Sequence, residues 1–314
     1  MTYILRRIAA TVPILIGLTL IAFLLGVIAP GDPAAEALRL GGMTEPTEIE
    51  IQAMRAKLGL DKPIFLQYAD WLGRAVQGDL GTSYMTQKPV AEELLYRLPA
   101  TAMLALTAVL FAVIIGVSLG TVLAMAFNTP LDHLGRVLAL AVTSIPGFWL
   151  AILLISMLVE ELHLLPTSGY GSWRHLVLPA IALGAGSSAT LMRLTRAAVL
   201  EVLSQDYIQA ARAKGLPPVL LSLRHVLPNA LNPVITVVGL NLGHILGGSV
   251  VMETIFAWPG IGRFVVDAIF RRDYPAIQGY VIFSGIVFIL INLLVDLIYH
   301  FLDPRVRLGE KVQQ

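Results

Sequence analysis

Charge-free apolar stretches long enough to cross a bilayer recur along this chain, at residues 8–31, 98–131, 137–159, 176–192, 226–252 and 274–295. A hydrocarbon core of about 30 Å takes about 20 helical residues at a rise of about 1.5 Å each. Amides immersed in lipid must be satisfied within the protein, which leaves helix as the solution for an isolated spanning segment. The composition agrees: 56% of residues are hydrophobic and 14% charged, with a mean hydropathy of +0.77, against about 25% charged in ordinary soluble domains. The chain reads as an all-α membrane protein with six transmembrane helices. The stretch at 176–192 is the shortest and carries Pro179 near its start.

The absence of cysteine removes disulfides, zinc-thiolate sites and thiol nucleophiles together. A net charge of +1 gives no electrostatic reason to expect a nucleic-acid partner. The first apolar stretch follows Arg6 and Arg7 but is too long for a secretory signal and lacks a small-residue cleavage site, so it reads as a retained first helix.

Basic residues near the span ends set the orientation. With the N-terminus inside, Arg6, Arg7, Arg136, Arg193, Arg196, Arg212, Lys214, Arg224, Arg305, Arg307 and Lys311 fall on the cytosolic side. Only Arg174, Arg263, Arg271 and Arg272 fall in short outer loops. Both termini are therefore expected in the cytosol. The division that follows is a first helix within 1–31, an outer loop at 32–97, a five-helix core at 98–303 with a cytosolic loop at about 204–228, and a tail at 304–314.

The outer loop has its own helical signals. Thr47 and Glu50 form a capping-box pattern, Ile51, Met54 and Leu58 recur at helical spacing, and Gly59 ends the run. After a turn at Asp61, Lys62 and Pro63, the residues Ile64, Tyr68, Trp71 and Leu72 make a second apolar face that stops at Gly78. Packing against the membrane helices is the commoner use of such a face. Docking of a soluble partner is the sharper one.

The loop between the fourth and fifth stretches is the most informative segment. Asp206 is placed as an N-cap with Gln209 at the reciprocal position, and Arg212 and Lys214 occupy the last turn, where cations suit the helix dipole. Gly215 can end the helix in the left-handed region, and Pro217 and Pro218 forbid continuation. So short a helix is marginal in water and needs something to hold it. Ala210 and Ala211 offer a narrow face for another protein, and Arg212 and Lys214 offer rim hydrogen bonds. On spacing alone, a solvated loop helix remains the commoner outcome.

These residues resemble the cytoplasmic signature of binding-protein-dependent ABC importer permeases: Glu-Ala-Ala, three residues, Gly, nine residues, then Ile-x-Leu-Pro. Ala210, Ala211, Gly215, Leu227 and Pro228 fall at those spacings. Gln209 and His225 depart from the general form, in a way similar to the dipeptide, oligopeptide and nickel branch, as do Ala211 to Leu216 and Arg224 with His225. Further resemblances to that branch lie at Leu5 to Arg7, Pro30 to Pro33, Leu58 to Pro63, Gly78 to Gly81, Leu98 to Thr101, Glu253 to Arg263, Arg272 to Pro275 and Asp303 to Arg305. Ala34 to Leu40 and Gly169 to His175 look most like nickel permeases, whereas Gln278 and Gly279 look equally like dipeptide permeases.

The resemblance implies the type I ABC importer permease fold, with a cytosolic coupling helix and a structured outer loop, in a bacterial cytoplasmic membrane. It implies a subunit that is not itself an enzyme. Expected partners are a second homologous permease, two cytosolic ATPase subunits that bind ATP and magnesium, an extracytoplasmic substrate-binding protein, and lipid. The ATPase-coupling residues would be Asp206, Gln209, Ala210, Ala211, Arg212, Lys214, Gly215, Leu227 and Pro228. The chain itself has no Gly-x-x-x-x-Gly-Lys phosphate loop.

Polar residues within the spans are the other candidates, because an ionisable group in hydrocarbon needs compensation. Asn241, His244 and Glu253 lie on the fifth stretch, where they would line a translocation path or bond between helices. Asn292 and Asp296 read as ties between helices. Phe256 and Trp258 suit anchors at the membrane interface. His163 and His175 flank an outer loop but are too sparse for a metal site. Gly116 with Gly120, and Gly239, Gly243 and Gly247, are small-residue faces for close helix contact. Pro146 and Gly147 predict a kink. The rival class is a secondary transporter working alone on an ion gradient, which predicts inverted repeats that this sequence does not display.

Overall fold

A computed structural model describes residues 2–28 and 31–302. Pro30, the Asp303-Pro304-Arg305 motif and the tail with Arg307 and Lys311 lie outside those residues. The helices in chain order are α1 (Thr2–Ile28), α2 (Pro33–Leu40), α3 (Glu48–Leu58), α4 (Ile64–Val76), α5 (Val90–Met125), α6 (Pro130–Ser144) and α7 (Gly147–Ile155), which continues as a π turn over Ser156–Glu161. They are followed by α8 (Trp173–Leu203), α9 (Asp206–Ala213), α10 (Pro218–Leu221), a π turn over Ser222–Val226, α11 (Leu227–Ile255), α12 (Ile261–Phe270) and α13 (Tyr274–Leu302). Among the described residues no strand forms beyond an isolated bridge between Thr82 and Pro89. Two compact units are present, Met1–Ala100 with Pro259–Leu293, and Thr101–Trp258 with the remainder.

In the first unit, the outer-loop helices start and stop where their local signals place them. Asp32 caps α2 by accepting from Ala34 N at 3.0 Å. The reciprocal Thr47 and Glu50 bonds open α3, and Gly59 at φ +70° closes it. The apolar face of α4 packs inward: Tyr68 and Trp71 sit 5.3 and 5.8 Å from the ring of Phe23 on α1, and Tyr68 shares a 3.0 Å hydroxyl contact with Thr19. Val90, Leu94, Ile261, Phe264, Ala268 and Ala276 form the unit's core. Over Phe264 lies the Arg97 guanidinium, 5.0 Å from the ring centre. Asp273, fully buried, accepts from Ser83 Oγ and from Met85 N at 3.0 Å.

The second unit is organised on α8, which packs with α6, α7 and α11. The stretch expected to be the shortest span thus belongs to a helix of 31 residues. Its apolar 18-residue window has a mean hydropathy of 1.4 and is 56% buried, against 2.6 and 11% for the window of α1. A helix surrounded by protein meets few lipid tails, so glycine, alanine and serine serve where leucine would be needed against lipid. Close approach demands them: a Cβ on Gly116 would stand 2.9 Å from Ser188 O, and one on Gly120 would stand 2.6 Å from Met192 O. Gly247, by contrast, faces open space within the chain.

One sequence expectation is sharpened in this unit and one is corrected. The kink expected at Pro146 and Gly147 is present, and α6 and α7 meet there at 102°. Pro146, with no amide proton and with a restricted preceding residue, stops α6 and restarts the chain in a new direction. Phe256 and Trp258, by contrast, are not interface anchors, since they are 2% and 1% exposed. Tyr170 meets Trp258 edge-on at 4.8 Å, and Gly169 N donates to Phe256 O at 3.0 Å, so the outer loop closes over them.

Candidate functional site

The short helix α9 forms as its spacing predicts, but its start differs. Gln205 occupies the N-cap, with no side-chain cap bond, and Asp206 is the first helical residue. There its carboxylate still faces the positive end of the helix dipole. At the other end Lys214 is the C-cap, Gly215 takes φ +79°, and the amides of Gly215 and Leu216 reach back to Arg212 O at 2.9 Å and Ala211 O at 3.4 Å. This pair of bonds is the left-handed glycine termination that a side chain with Cβ resists.

What holds α9 is Ile208. It is fully buried among Ala124 of α5, Ala198 and Val199 of α8, Leu221 of α10 and Ala230 of α11, with Ala211 packed against the same cluster. Ala210 and Ala211 therefore do not share one outward face. Ala211 turns inward and Ala210 outward, where Asp206, Tyr207, Gln209, Arg212 and Lys214 are also exposed. Sequence reasoning passed over Ile208 and Tyr207, although Ile208 lies three residues before Ala211, the spacing of one helical face.

Leu227 and Pro228 sit where the π turn passes into α11. Pro228 has no N–H to give to Arg224 O, and its ring crowds that carbonyl, a conflict that widening over Ser222–Val226 relieves. Leu227 packs on the Ile208 cluster. Asn229 Nδ2 donates to His225 O at 2.8 Å. A cavity of about 470 Å³ opens beside α9, with Phe127, Leu200, Leu203, Arg212 and Leu216 among its walls.

A second polar element lies at the same end. Asp132, on the first turn of α6, is fully buried and accepts from Arg196 Nε at 2.6 Å and Nη2 at 2.7 Å. Asn128 N also donates to it at 3.0 Å, and the Arg196 guanidinium lies 5.6 Å from the Phe127 ring centre. Sequence reasoning treated Arg196 only as an orientation charge. The local signal was Thr129 with Asp132 three residues on, a helix start; the partner 64 residues away carries no local mark.

Of the candidates on α11, Glu253 and Asn241 have described side chains, and they lie about three turns apart on the helix. Glu253 is fully buried, and Thr101 Oγ1 donates to its Oε1 at 2.7 Å, which ties α11 to α5. Asn241 Nδ2 is enclosed without a hydrogen-bond partner among the described residues. The side chain of His244 lies outside the described set, as does that of Asp296. Asn292 bonds Phe288 O in its own helix at 2.9 Å and, among the described residues, ties nothing across. His175 Nδ1 pairs with Ser172 Oγ at 2.8 Å, and among the described residues no group of three or more metal-ligating side chains converges.

Comparison with known proteins follows the same lines. Residues 112–308 match the model described as "Binding-protein-dependent transport system inner membrane component", and residues 1–105 match its N-terminal companion. The glutathione transport system permease protein GsiC of Escherichia coli strain K12 is 41% identical over 98% of this chain and 99% of the relative. The protein of the same name from Shigella dysenteriae serotype 1 is also 41% identical over the same shares. Among solved structures, an inward-facing MetNI methionine ABC transporter chain superposes with a TM-score of 0.57 at 20% identity, covering 67% of this chain and 96% of that one. An amino acid ABC transporter chain superposes at 0.52 and 17% identity, covering 67% and 94%. These two share the fold.

Proposed function

Since the chain belongs to the binding-protein-dependent transport system inner-membrane family and is an ABC importer permease subunit, we propose that α9 is its ATPase-coupling helix and that its cargo is a short peptide of the glutathione kind. The observation that carries the first part is the division of α9 into an inward face, with Ile208 buried and Ala211 half-buried, and an exposed face with Tyr207, Gln209 and Ala210. A helix clamped on one side to α5, α8, α10 and α11 and bare on the other passes a push from outside into the span ends. ATP-driven closure of two partner ATPase subunits would supply the push, and the packed spans would turn it into alternating access. In this reading both termini and α9 face the cytosol of a bacterial cell. ATP and magnesium are bound by the partners, and a second permease and an extracytoplasmic binding protein complete the assembly. Asp206, Arg212, Lys214 and Gly215 border the contact, while Leu227 and Pro228 support it from behind.

Full-length similarity to permeases named for glutathione transport supports the peptide cargo. Nickel chelates are the competing cargo, favoured by the segments 34–40 and 169–175. Binding assays on the partner binding protein with glutathione, dipeptides and nickel chelates decide between them, and preference for the nickel chelate would overturn the peptide assignment. Cross-linking from Ala210→Cys in the assembled importer tests the coupling helix: a product with the ATPase subunit is expected, and its absence in a transporting complex would remove the reading.

A further inference from the structure

We infer that the buried Asp132–Arg196 pair is the joint through which displacement of α9 reaches the bent α6–α7 arm, so that both are positioning residues for coupling. The inference rests on the coupling reading of α9. Three observations lead to it.

Between α8 and α9 there is little slack. Only Ser204 and Gln205 separate the helices, and Ser204 N donates to Leu200 O at 3.2 Å, Gln205 N to Val202 O at 3.1 Å and Ile208 N to Gln205 O at 3.1 Å. A movement of α9 is therefore a movement of the lower end of α8, with Ile208 locked against Val199.

Arg196 lies on that lower end, where α6 packs along α8. Among the residues of α6 only Asp132 and Ala139 are buried. They lie seven apart, hence on one face of the helix. Ala139, with half-buried Val142 beside it, packs with Leu123, Ala189 and Met192, an apolar contact that fixes no angle. Asp132 is different: its two-point bond to a planar guanidinium fixes angle as well as distance. Leu131, Leu134, Val137, Leu138 and Leu140 are exposed within the chain and add no further hold on α8.

Beyond Ser144 the chain bends by 102° into α7. Since α7 packs on α8 as well, the ion pair is the directional contact at the base of an arm that lies along α8 and turns with it. Without that contact only apolar packing, which fixes no angle, carries a turn of α8 into α6.

The chain has no cysteine, so a single introduced thiol reports without background. In the full importer with its ATPase subunits, Leu162→Cys, at the exposed far end of the π turn after α7, is probed with maleimide with and without ATP and vanadate. Cross-linking from Ala210→Cys runs in parallel. Replacement of a buried ion pair by apolar residues of similar volume is commonly neutral for stability, so Asp132→Leu with Arg196→Met removes direction while keeping packing. This double variant is expected to keep the Ala210 cross-link and to lose about tenfold of the nucleotide-dependent change in reactivity, the scale of a typical coupling energy. Arg196→Lys, a point charge without the fork, is expected to fall between, and it carries the test if the double variant does not assemble. Arg136→Ala removes only the outer 3.8 Å contact and is expected to respond as wild type. A wild-type response from the double variant, or from Arg196→Lys where it stands in, would overturn the joint. No cross-link in the wild type would instead overturn the coupling reading beneath it.

Discussion

Two short helices outside the spans, α3 in the first unit and α9 in the second, end alike and are held differently. Both close at a glycine in the left-handed region, Gly59 at φ +70° and Gly215 at φ +79°. The start of α3 is secured by its own residues: Glu50 accepts from Thr47 N at 2.8 Å, Thr47 Oγ1 accepts from Glu50 N at 3.4 Å, and no residue of the helix is fully buried. By contrast α9 has no side-chain cap and is pinned by Ile208, with no exposed surface left on that residue. Isolated helices of this length are marginal in water, so each needs support, and the kind of support decides what each can do. A helix whose start is closed by its own residues depends less on what its neighbours do. One held by tertiary contacts moves with them, which is the requirement for transmitting force.

The comparison breaks most visibly at Ile208. Ile208→Ala leaves a cavity in the α9 cluster at a cost of roughly 2–5 kcal/mol, and uptake per assembled complex in vesicles is expected to fall sharply, while exposed Gln209→Ala stays near wild type. Equal uptake by the two variants would show that the buried face transmits nothing. Gly215→Val comes next, because a side chain in the left-handed region costs about 1–2 kcal/mol and a β-branched one resists it further. Coupling of hydrolysis to uptake is expected to drop while binding-protein docking, read by co-purification, persists.

Smaller effects belong to α3. Thr47→Ala removes the cap for about 1 kcal/mol; faster hydrogen exchange in the first turn of α3 with unchanged uptake is expected, and lost uptake would mean that α3 also transmits. Weakest is a pH effect at Glu50, whose carboxyl is held below the usual range first by the Thr47 backbone amide and then by its hydroxyl. The cap it makes is present above the ordinary carboxylate value and lost as pH falls through the lowered one. Protection of the Thr47 amide is expected to fade only in strongly acidic solution.

Much of α3 and the C-terminal end of α9 were legible because a cap or a stop is written within four or five residues. Less legible was anything that depends on which helix stands opposite. Hydropathy marked 176–192 as the weakest span, yet that segment lies in the central helix, where contact with protein replaces contact with lipid. Aromatic residues after α11 suggested an interface, yet Trp258 is enclosed by Tyr170 and its loop. Asp206 reads as a cap from its type, although Gln205 takes the position.

By itself the amino-acid order determined that this chain lies in a membrane as helices, where its short helices stop, and which family signature it carries. Lipid imposes a length and hydrogen bonding imposes local closure, and both act along the chain. Tertiary structure alone decided how far α6 turns at Pro146 into α7, 102°, that Ile208 is the anchor of α9, and that Asp132 meets Arg196. Burial and ion pairing act between residues far apart in sequence, so nothing beside either partner announces the other.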